Sequence, residues 1–323
     1  MGRQLRGDVE HDRLHALVTL VSHLGRDYAA AVAEPRDWTV RDVVAFMTDD
    51  LKKRGVEGAK LDADLVAAEA LGVDRVRILV DGERLLTAEE LATIRALFKR
   101  RRAFEPVAYL RGVREFYGRP FRVDRRVLVP RPDTEILVEH ALELLQGRDL
   151  GGRVLDLCTG SGCVAVTLKL ERPTLTVDAT DLSAEALTVA RDNAQRLGAV
   201  WNVCFSAGDL FAALPAPRRR YDLVTANPPY IASSEIPGLQ PDIRDHEPHL
   251  ALDGGADGLD LVRRIVEDAP RHLTEGGALA MEIGAGQAES VVALLVARGF
   301  NDVRRVRDYG GHERVVSGRA PRP

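Results

Sequence analysis

Asn227-Pro228-Pro229-Tyr230 follows a short apolar run, Leu223 to Ala226. Two successive prolines remove two backbone donors and fix φ at both positions. The carbonyls of Asn227 and Pro228 are therefore expected to be rigid acceptors, with the Asn227 side-chain oxygen as a third. Such a set suits a planar NH2 group, whose two hydrogens each need a partner. An amide nitrogen is a weak nucleophile because its lone pair is delocalised into the carbonyl. Acceptors on both N–H bonds would fix that nitrogen, favour its pyramidalisation and stabilise the positive charge developing on it. The chemistry expected is methyl transfer to an amide nitrogen by direct displacement, with proton loss afterwards. It requires neither a metal nor a strong general base. Taken alone, the same four residues also fit a proline-rich turn with no chemistry, and Tyr230 also fits a core aromatic.

The methyl donor is implied by a second set of residues. An apolar strand, Val154 to Leu157, runs into Cys158-Thr159-Gly160-Ser161-Gly162. Glycines in such a turn let a ligand approach the backbone closely. After Gly162 there is no third glycine at the spacing that a dinucleotide turn would have. Asp156 sits just before the turn, where a carboxylate attracts an ammonium and repels a pyrophosphate. Asp181 ends the next strand, 25 residues on, and suits the two hydroxyls of a ribose. Asp209 follows the third strand and suits an adenine amino group, with Leu210 against the ring. Each acid alone has a plain alternative: a helix-capping turn for Asp181 before Ser183, and a turn residue for Asp209. Acids at successive strand ends, around a glycine turn, point to S-adenosyl-L-methionine, because open α/β sheets bind ligands at those ends.

A doubly wound, mostly parallel sheet must position these residues. Strands are expected at Val154–Leu157, Leu175–Ala179, Val200–Phe205, Leu223–Ala226 and Ala278–Ile283. Helices are expected between them: from the glycine turn to Leu170, and over Ala184–Leu197, Leu259–His272 and Gln287–Arg298. Alternation of this kind gives an α/β fold. Val303–Val306 and Arg314–Ser317 are expected to close the sheet as an antiparallel pair, with Gly318 to Pro323 as a frayed tail. Upstream, apolar residues recur at helical spacing. Residues 1–37 hold one amphipathic stretch through Leu14, Leu17, Val18, Val21 and Leu24. Residues 38–105 read as a small helical domain. Thr39 with Asp42, and Thr87 with Glu90, have the pattern of a capping box. Residues 106–135 are punctuated by Pro106, Gly112, Gly118 and Pro120, and read as a β-hairpin linker with strands at Phe121–Val123 and Val127–Val129. A helix from Thr134 to Leu145 then opens a catalytic domain over residues 136–318.

Composition narrows the function classes. The net charge is −4 over 323 residues, which argues against a strong direct nucleic-acid binder. Arg100 to Arg102 and Arg218 to Arg220 read as solvated faces or as contacts to an anionic partner. Three cysteines, Cys158, Cys163 and Cys204, cannot form a disulfide framework and lack metal spacing, so no metal site is expected. No apolar run of about 18 residues is present, so no membrane span is expected. A cytoplasmic location is the reading that follows.

With these motifs in place, the chain resembles the peptide chain release factor N5-glutamine methyltransferases. The likeness spans about residues 38–317. It rests on Asp156 to Gly162, Asp181, Asn227 to Ile231 and, most specifically, Val129-Pro130-Arg131-Pro132-Asp133-Thr134-Glu135. Glu105 to Tyr109, Arg244 to Pro248 and Gly254 to Leu259 also fit. The resemblance implies a helical N-terminal domain, a β-hairpin linker and a Rossmann-like class I S-adenosylmethionine methyltransferase domain. It implies methylation at N5 of the glutamine in the Gly-Gly-Gln loop of class I release factors. It carries over Cys158 to Gly162, Asp181 and Asp209 for the cofactor and Asn227 to Tyr230 for the glutamine. Phe116 and Arg131 match positions that wall the acceptor site, although from the residues alone Phe116 is a core residue and Arg131 a surface charge. Cys158 stands where the family usually has glycine. The wording around it also occurs in ribosomal protein L3 glutamine methyltransferases. Asn-Pro-Pro-Tyr is shared with nucleic-acid adenine N6-methyltransferases. Both remain alternatives at this stage.

Overall fold

The structure is a computed structural model that describes residues 37–146, 151–215 and 219–321. The amphipathic stretch expected within residues 1–37 lies almost wholly outside them. The described chain forms two compact units, which divide between Arg111 and Gly112.

The first unit is helical: α1 (Val40–Lys53), α2 (Ala59–Leu71), α3 (Arg75–Val80), α4 (Ala88–Arg102) and α5 (Val107–Arg111). Both expected capping boxes are present. The Asp42 amide donates to Thr39 Oγ1 at 3.1 Å, and the Glu90 amide to Thr87 Oγ1 at 3.2 Å. Each satisfies an orphan donor of the first turn. Val40, Val43, Val44, Met47 and Leu51 form one buried stripe of α1, packed with Ala63, Val66 and Ala67 of α2. Helices α3 and α5 were not anticipated, being too short for periodicity to reveal. The arginine run is neither a free solvated face nor an open basic patch. Arg100 pairs with Glu105, Arg101 with Asp62 and Arg102 with Asp50, at 2.6, 2.7 and 2.9 Å.

The second unit opens with a hairpin, β1 (Val113–Phe116) against β2 (Arg119–Arg122). This corrects the strand placement: Val127–Val129 is not in a strand. Tyr117 and Gly118 both take positive φ in the tight connection, and Val113–Phe116, where no strand was expected, supplies the partner of β2. Next come α6 (Thr134–Leu144), β3 (Arg153–Leu157), α7 (Cys163–Glu171), β4 (Thr176–Asp181), α8 (Ala184–Leu197), β5 (Val203–Ala207) and β6 (Tyr221–Ala226). After a long segment with only short helical turns and α9 (Pro241–Arg244), the chain continues. Its last elements are α10 (Asp260–His272), β7 (Leu273–Glu282), α11 (Ala288–Ala297), β8 (Asn301–Arg307) and β9 (Glu313–Arg319).

The seven strands lie in the order β5-β4-β3-β6-β7-β9-β8. The first five are parallel, and β9 runs antiparallel between β7 and β8. Alternate strand residues feed two cores, one on each face of the sheet. Val154, Leu223 and Ala280 pack towards α6 and α7; Leu155, Val224 and Met281 pack towards α10 and α11. The chain leaves β3 for β4 on one side and returns to β6 on the other. Such a switch point leaves a crevice beyond the carboxyl ends of the strands. The expected frayed tail is a correction: β9 continues to Arg319, and Ala320 is buried, its amide bonded to the Gly277 carbonyl at 2.8 Å.

Candidate active site

A cavity of about 400 Å³ occupies that crevice, within the usual size range of small-molecule sites. Its floor is acidic. Asp156, Asp181 and Asp209 all line it, with Cys158 to Ser161, Leu210 and Asn227.

Asp156 is the last polar residue of β3 and is 1% exposed. The Thr159 hydroxyl donates to its Oδ2 at 2.6 Å and the Thr225 hydroxyl to its Oδ1 at 2.8 Å. Burial pushes its pKa up to about 6, against the pull of those two hydroxyls. A carboxyl held this way gains from a nearby cation, because the cation restores the stability of the ionised form. The turn after it is bent by positive φ at Cys158 and Gly160, then at Gly162 as α7 begins. A side chain at Gly162 would meet Ala190 Cβ at 3.1 Å, so that glycine serves helix packing and does not line the cavity. Cys158, at φ 56, and Leu210, at φ 47, are both left-handed without being glycine. Such conformations cost energy and persist where surrounding structure enforces them, often at ligand sites.

Asp181 ends β4, and its two oxygens have separate duties. Oδ2 accepts from the Gly160 amide and Oδ1 from the Ser183 amide, each at 2.8 Å. Ser183 itself caps α8, its Oγ accepting from the Ala186 amide at 3.1 Å, and it also lines the cavity. The capping turn and the ligand-facing acid therefore coexist, since each carboxylate oxygen keeps a second lone pair. Burial raises the Asp181 pKa. Asp209 is half exposed and accepts from Arg264 Nη2 at 2.6 Å. Arg264 also lines the cavity and was not anticipated, since it comes from α10, far along the chain. Leu182 was missed too; it lines the cavity beside Asp181 and is 57% exposed, as an apolar wall for a planar ring would be.

The acceptor side is built by the turn after β6. Asn227 is half-buried, and Pro228 and Pro229 are buried. Asn227 Nδ2 donates to the Thr134 hydroxyl at 3.2 Å, which leaves Oδ1 free to face the cavity. Asn227 and Pro229 line the cavity; Pro228 and Tyr230 do not. Tyr230 turns towards Glu282, with its hydroxyl 3.5 Å from Oε1. The Gly254 and Gly258 backbones lie so close to this turn that a side chain on either would strike the Pro229 or Tyr230 carbonyl. That contact is the physical reason for the glycine run there. Residues Pro248 to Ala251 and Asp253, from the segment between β6 and α10, cover the cavity.

Arg131 is not a lone surface charge. It lines the cavity and donates to the buried Glu247 at 2.7 Å. Phe116 is not brought to the cavity: it is 1% exposed and packs edge-on against Phe121 in the core. Thr134 was quoted within a motif but given no role, and its place at the mouth of α6 makes it the direct partner of Asn227. The described residues contain no group of three or more potential metal ligands, and no helix long and apolar enough to cross a membrane.

Two family descriptions match this chain: the PrmC N-terminal domain over residues 42–112 and the methyltransferase small domain over residues 132–239. A release factor glutamine methyltransferase of Geobacter sulfurreducens is 42% identical over 286 residues, 88% of this chain and 98% of that one. Another, from Bordetella pertussis, is 48% identical over 259 residues, 80% of this chain and 94% of that one. Among solved structures, the hMettl16 catalytic domain, determined in complex with a 3′UTR hairpin, shares the fold. It has a TM-score of 0.52 at 15% identity, covering 66% of this chain and 80% of that chain.

Proposed function

This chain belongs to the release factor glutamine methyltransferase family, and we propose that it methylates N5 of the glutamine in the Gly-Gly-Gln loop of class I release factors, using S-adenosyl-L-methionine. One observation carries the reading. Asn227, with Oδ1 turned inward by its bond to Thr134, shares one cavity with Asp156 and Asp181. An acceptor for an amide N–H thus adjoins acids suited to a nucleoside that bears an ammonium.

The fit of the cofactor follows from the donors present. Asp156 would face the ammonium, and the remaining lone pairs of Asp181 would take the ribose hydroxyls. Asp209, with Leu182 and Leu210, would hold the adenine. When bound, S-adenosyl-L-methionine supplies an electrophilic methyl group on a sulfonium. Asn227 Oδ1 accepts one N–H of the glutamine amide, and a backbone carbonyl of the same turn accepts the other. Both N–H bonds are then directed away from the methyl, which aims the lone pair at it. The same oxygens stabilise positive charge on the nitrogen as the bond forms. Tyr230, held near Glu282, supports the turn from behind. The segment from Pro248 to Asp253 screens the nitrogen from water. The helical unit is assigned to holding the protein substrate. Val76, Leu79 and Val80 of α3 are 59–69% exposed, an apolar face available to a partner.

The deciding experiment is transfer of labelled methyl to purified release factor, ribosomal protein L3 and DNA side by side. Label is expected on the Gly-Gly-Gln glutamine of the release factor. Label on L3 or DNA alone would overturn the reading.

A further inference from the structure

We propose that Gln287 is a positioning residue for this transfer: its side-chain amide fastens the Tyr230 end of the Asn-Pro-Pro-Tyr turn to the sheet and so aims the turn's carbonyls at the acceptor nitrogen. The inference rests on the role given to that turn above.

The turn cannot hold itself. Pro228 and Pro229 carry no N–H, so neither can anchor its own backbone by donating a hydrogen bond. The carbonyls between Asn227 and Tyr230 are therefore aimed by whatever grips the two ends. The first end is secured by the sheet. Ala226 pairs with Leu157 of β3 and Met281 of β7, and Asn227 Nδ2 donates to the Thr134 hydroxyl at 3.2 Å. At the second end, the Ile231 amide donates to the Leu252 carbonyl at 3.1 Å, and the Ile231 carbonyl accepts from the Gly254 amide at 2.8 Å. Those bonds tie the turn only to the segment that covers the cavity, through a bridge outside the sheet.

Gln287 supplies the tie to the sheet. It stands between the end of β7 and the start of α11. Its Oε1 accepts from the Gly284 amide and its Nε2 donates to the Tyr230 carbonyl, each at 2.9 Å. The Gly258 carbonyl lies 3.5 Å from the same nitrogen. Three backbone segments thus close on one side-chain amide. A Cβ at Gly284 would meet Gln287 Oε1 and Tyr230 Cδ2, each at 3.1 Å, and a Cβ at Gly258 would meet Gln287 Nε2 at 2.7 Å.

The two bonds make a glutamine necessary. One end of the group must accept from an N–H and the other must donate to a carbonyl, which a carboxylate or a thioether cannot do. A flipped amide would set NH2 against N–H and oxygen against oxygen. Gln287 also occupies the N-cap of α11, yet its side chain makes no capping bond. Its hydrogen bonds are directed away from its own helix, to the end of β7 and to the turn after β6.

The test is a pair of variants in the full-length protein, Gln287→Met and Gln287→Glu. Methionine keeps the length and removes both bonds. Glutamate keeps the acceptor for Gly284 and sets an oxygen against the Tyr230 carbonyl. By analogy with outer-shell partners of ligating groups, kcat with release factor should fall about 10- to 100-fold in each. Cofactor Kd and the KM for release factor should match wild type. A merely structural glutamine would instead lower the melting temperature of Gln287→Met and leave kcat of the folded protein unchanged, a result that overturns the proposal. If Gln287→Met does not fold, Gln287→Glu decides, since it keeps the Gly284 bond, and wild-type kcat there refutes the tie. The bond can also be read without turnover, because Tyr230-Ile231 is the one Tyr-Ile pair in the chain. Labelling tyrosine carbonyls with ¹³C and isoleucine nitrogens with ¹⁵N isolates the Tyr230 carbonyl resonance. It should move in both variants, and a resonance unmoved in both would sink the inference. Failure of the Asn227 reading would show differently, as wild-type kcat in Asn227→Ala.

Discussion

Asp181→Asn isolates the contribution of one carboxylate to cofactor binding. Both oxygens of Asp181 already accept a backbone amide at 2.8 Å, from Gly160 and from Ser183. Asparagine keeps one acceptor oxygen, while its NH2 must face an amide N–H, donor against donor. One charge-assisted bond is lost, worth about 1.5–3 kcal/mol, and the survivor weakens from charged to neutral. The Gly160 amide belongs to the turn that lines the cavity, so this loss loosens the cradle as well. The NH2 also removes one site for a ribose hydroxyl. Cofactor affinity should fall by about 1.5–3 kcal/mol, roughly 10- to 150-fold in Kd. Calorimetric titration with S-adenosyl-L-methionine gives that number, and a urea melt gives the folding cost separately. If the melt shows a folded protein and Kd stays within twofold of wild type, Asp181 is not a cofactor ligand and the cavity has been misread.

Three further outcomes are expected. Asn227→Ala should lower single-turnover kcat on the order of 10²–10³-fold, as removal of one preorganised hydrogen-bonding group does elsewhere, with cofactor Kd nearly unchanged. Asn227→Asp keeps an acceptor but loses the donor to Thr134, so it should be as poor as Ala if that anchor matters; near-wild-type rates in both would reduce the turn to a structural role. Asp156, with its pKa near 6, attracts the ammonium only when ionised, so affinity should be fully present above that pH and lost as pH falls through it. About a tenfold loss is expected between pH 7.5 and pH 5, flattened in Asp156→Asn; an unchanged slope in that variant would exclude Asp156 as the titrating group. Cys158→Gly should relieve left-handed strain of about 1–2 kcal/mol. The greater freedom of glycine in the unfolded chain offsets about 0.5–1 kcal/mol of that. Equilibrium urea unfolding should show a gain of up to about 1 kcal/mol, and a loss larger than that would mean the thiol packs better than its backbone suggests.

The sequence alone determined the local and periodic features. Capping boxes span three residues, and the strands and helices of a doubly wound sheet announce themselves by apolar spacing. For this reason Ala184–Leu197 appears in the structure with the bounds expected of it. The acids at successive strand ends were legible for the same reason, since a parallel sheet sends every carboxyl end to one edge. Elements of four to six residues, α3, α5 and β1, gave no period to read.

Tertiary structure alone decided which distant residues meet. Arg131 reads as a solvated charge until Glu247, 116 residues on, closes a pair with it. Phe116 was assigned to the acceptor wall through family likeness, and packing against Phe121 places it in the core instead. Arg264 reaches Asp209 because α10 packs in one core with Leu210 and Phe211, which follow Asp209. Thr134 carries no local sign of its bond to Asn227, 93 residues on. That bond depends on where β6 ends and where α6 begins. Periodicity records what a residue does for its own element. A hydrogen bond between two elements exists only once both are packed and water is excluded.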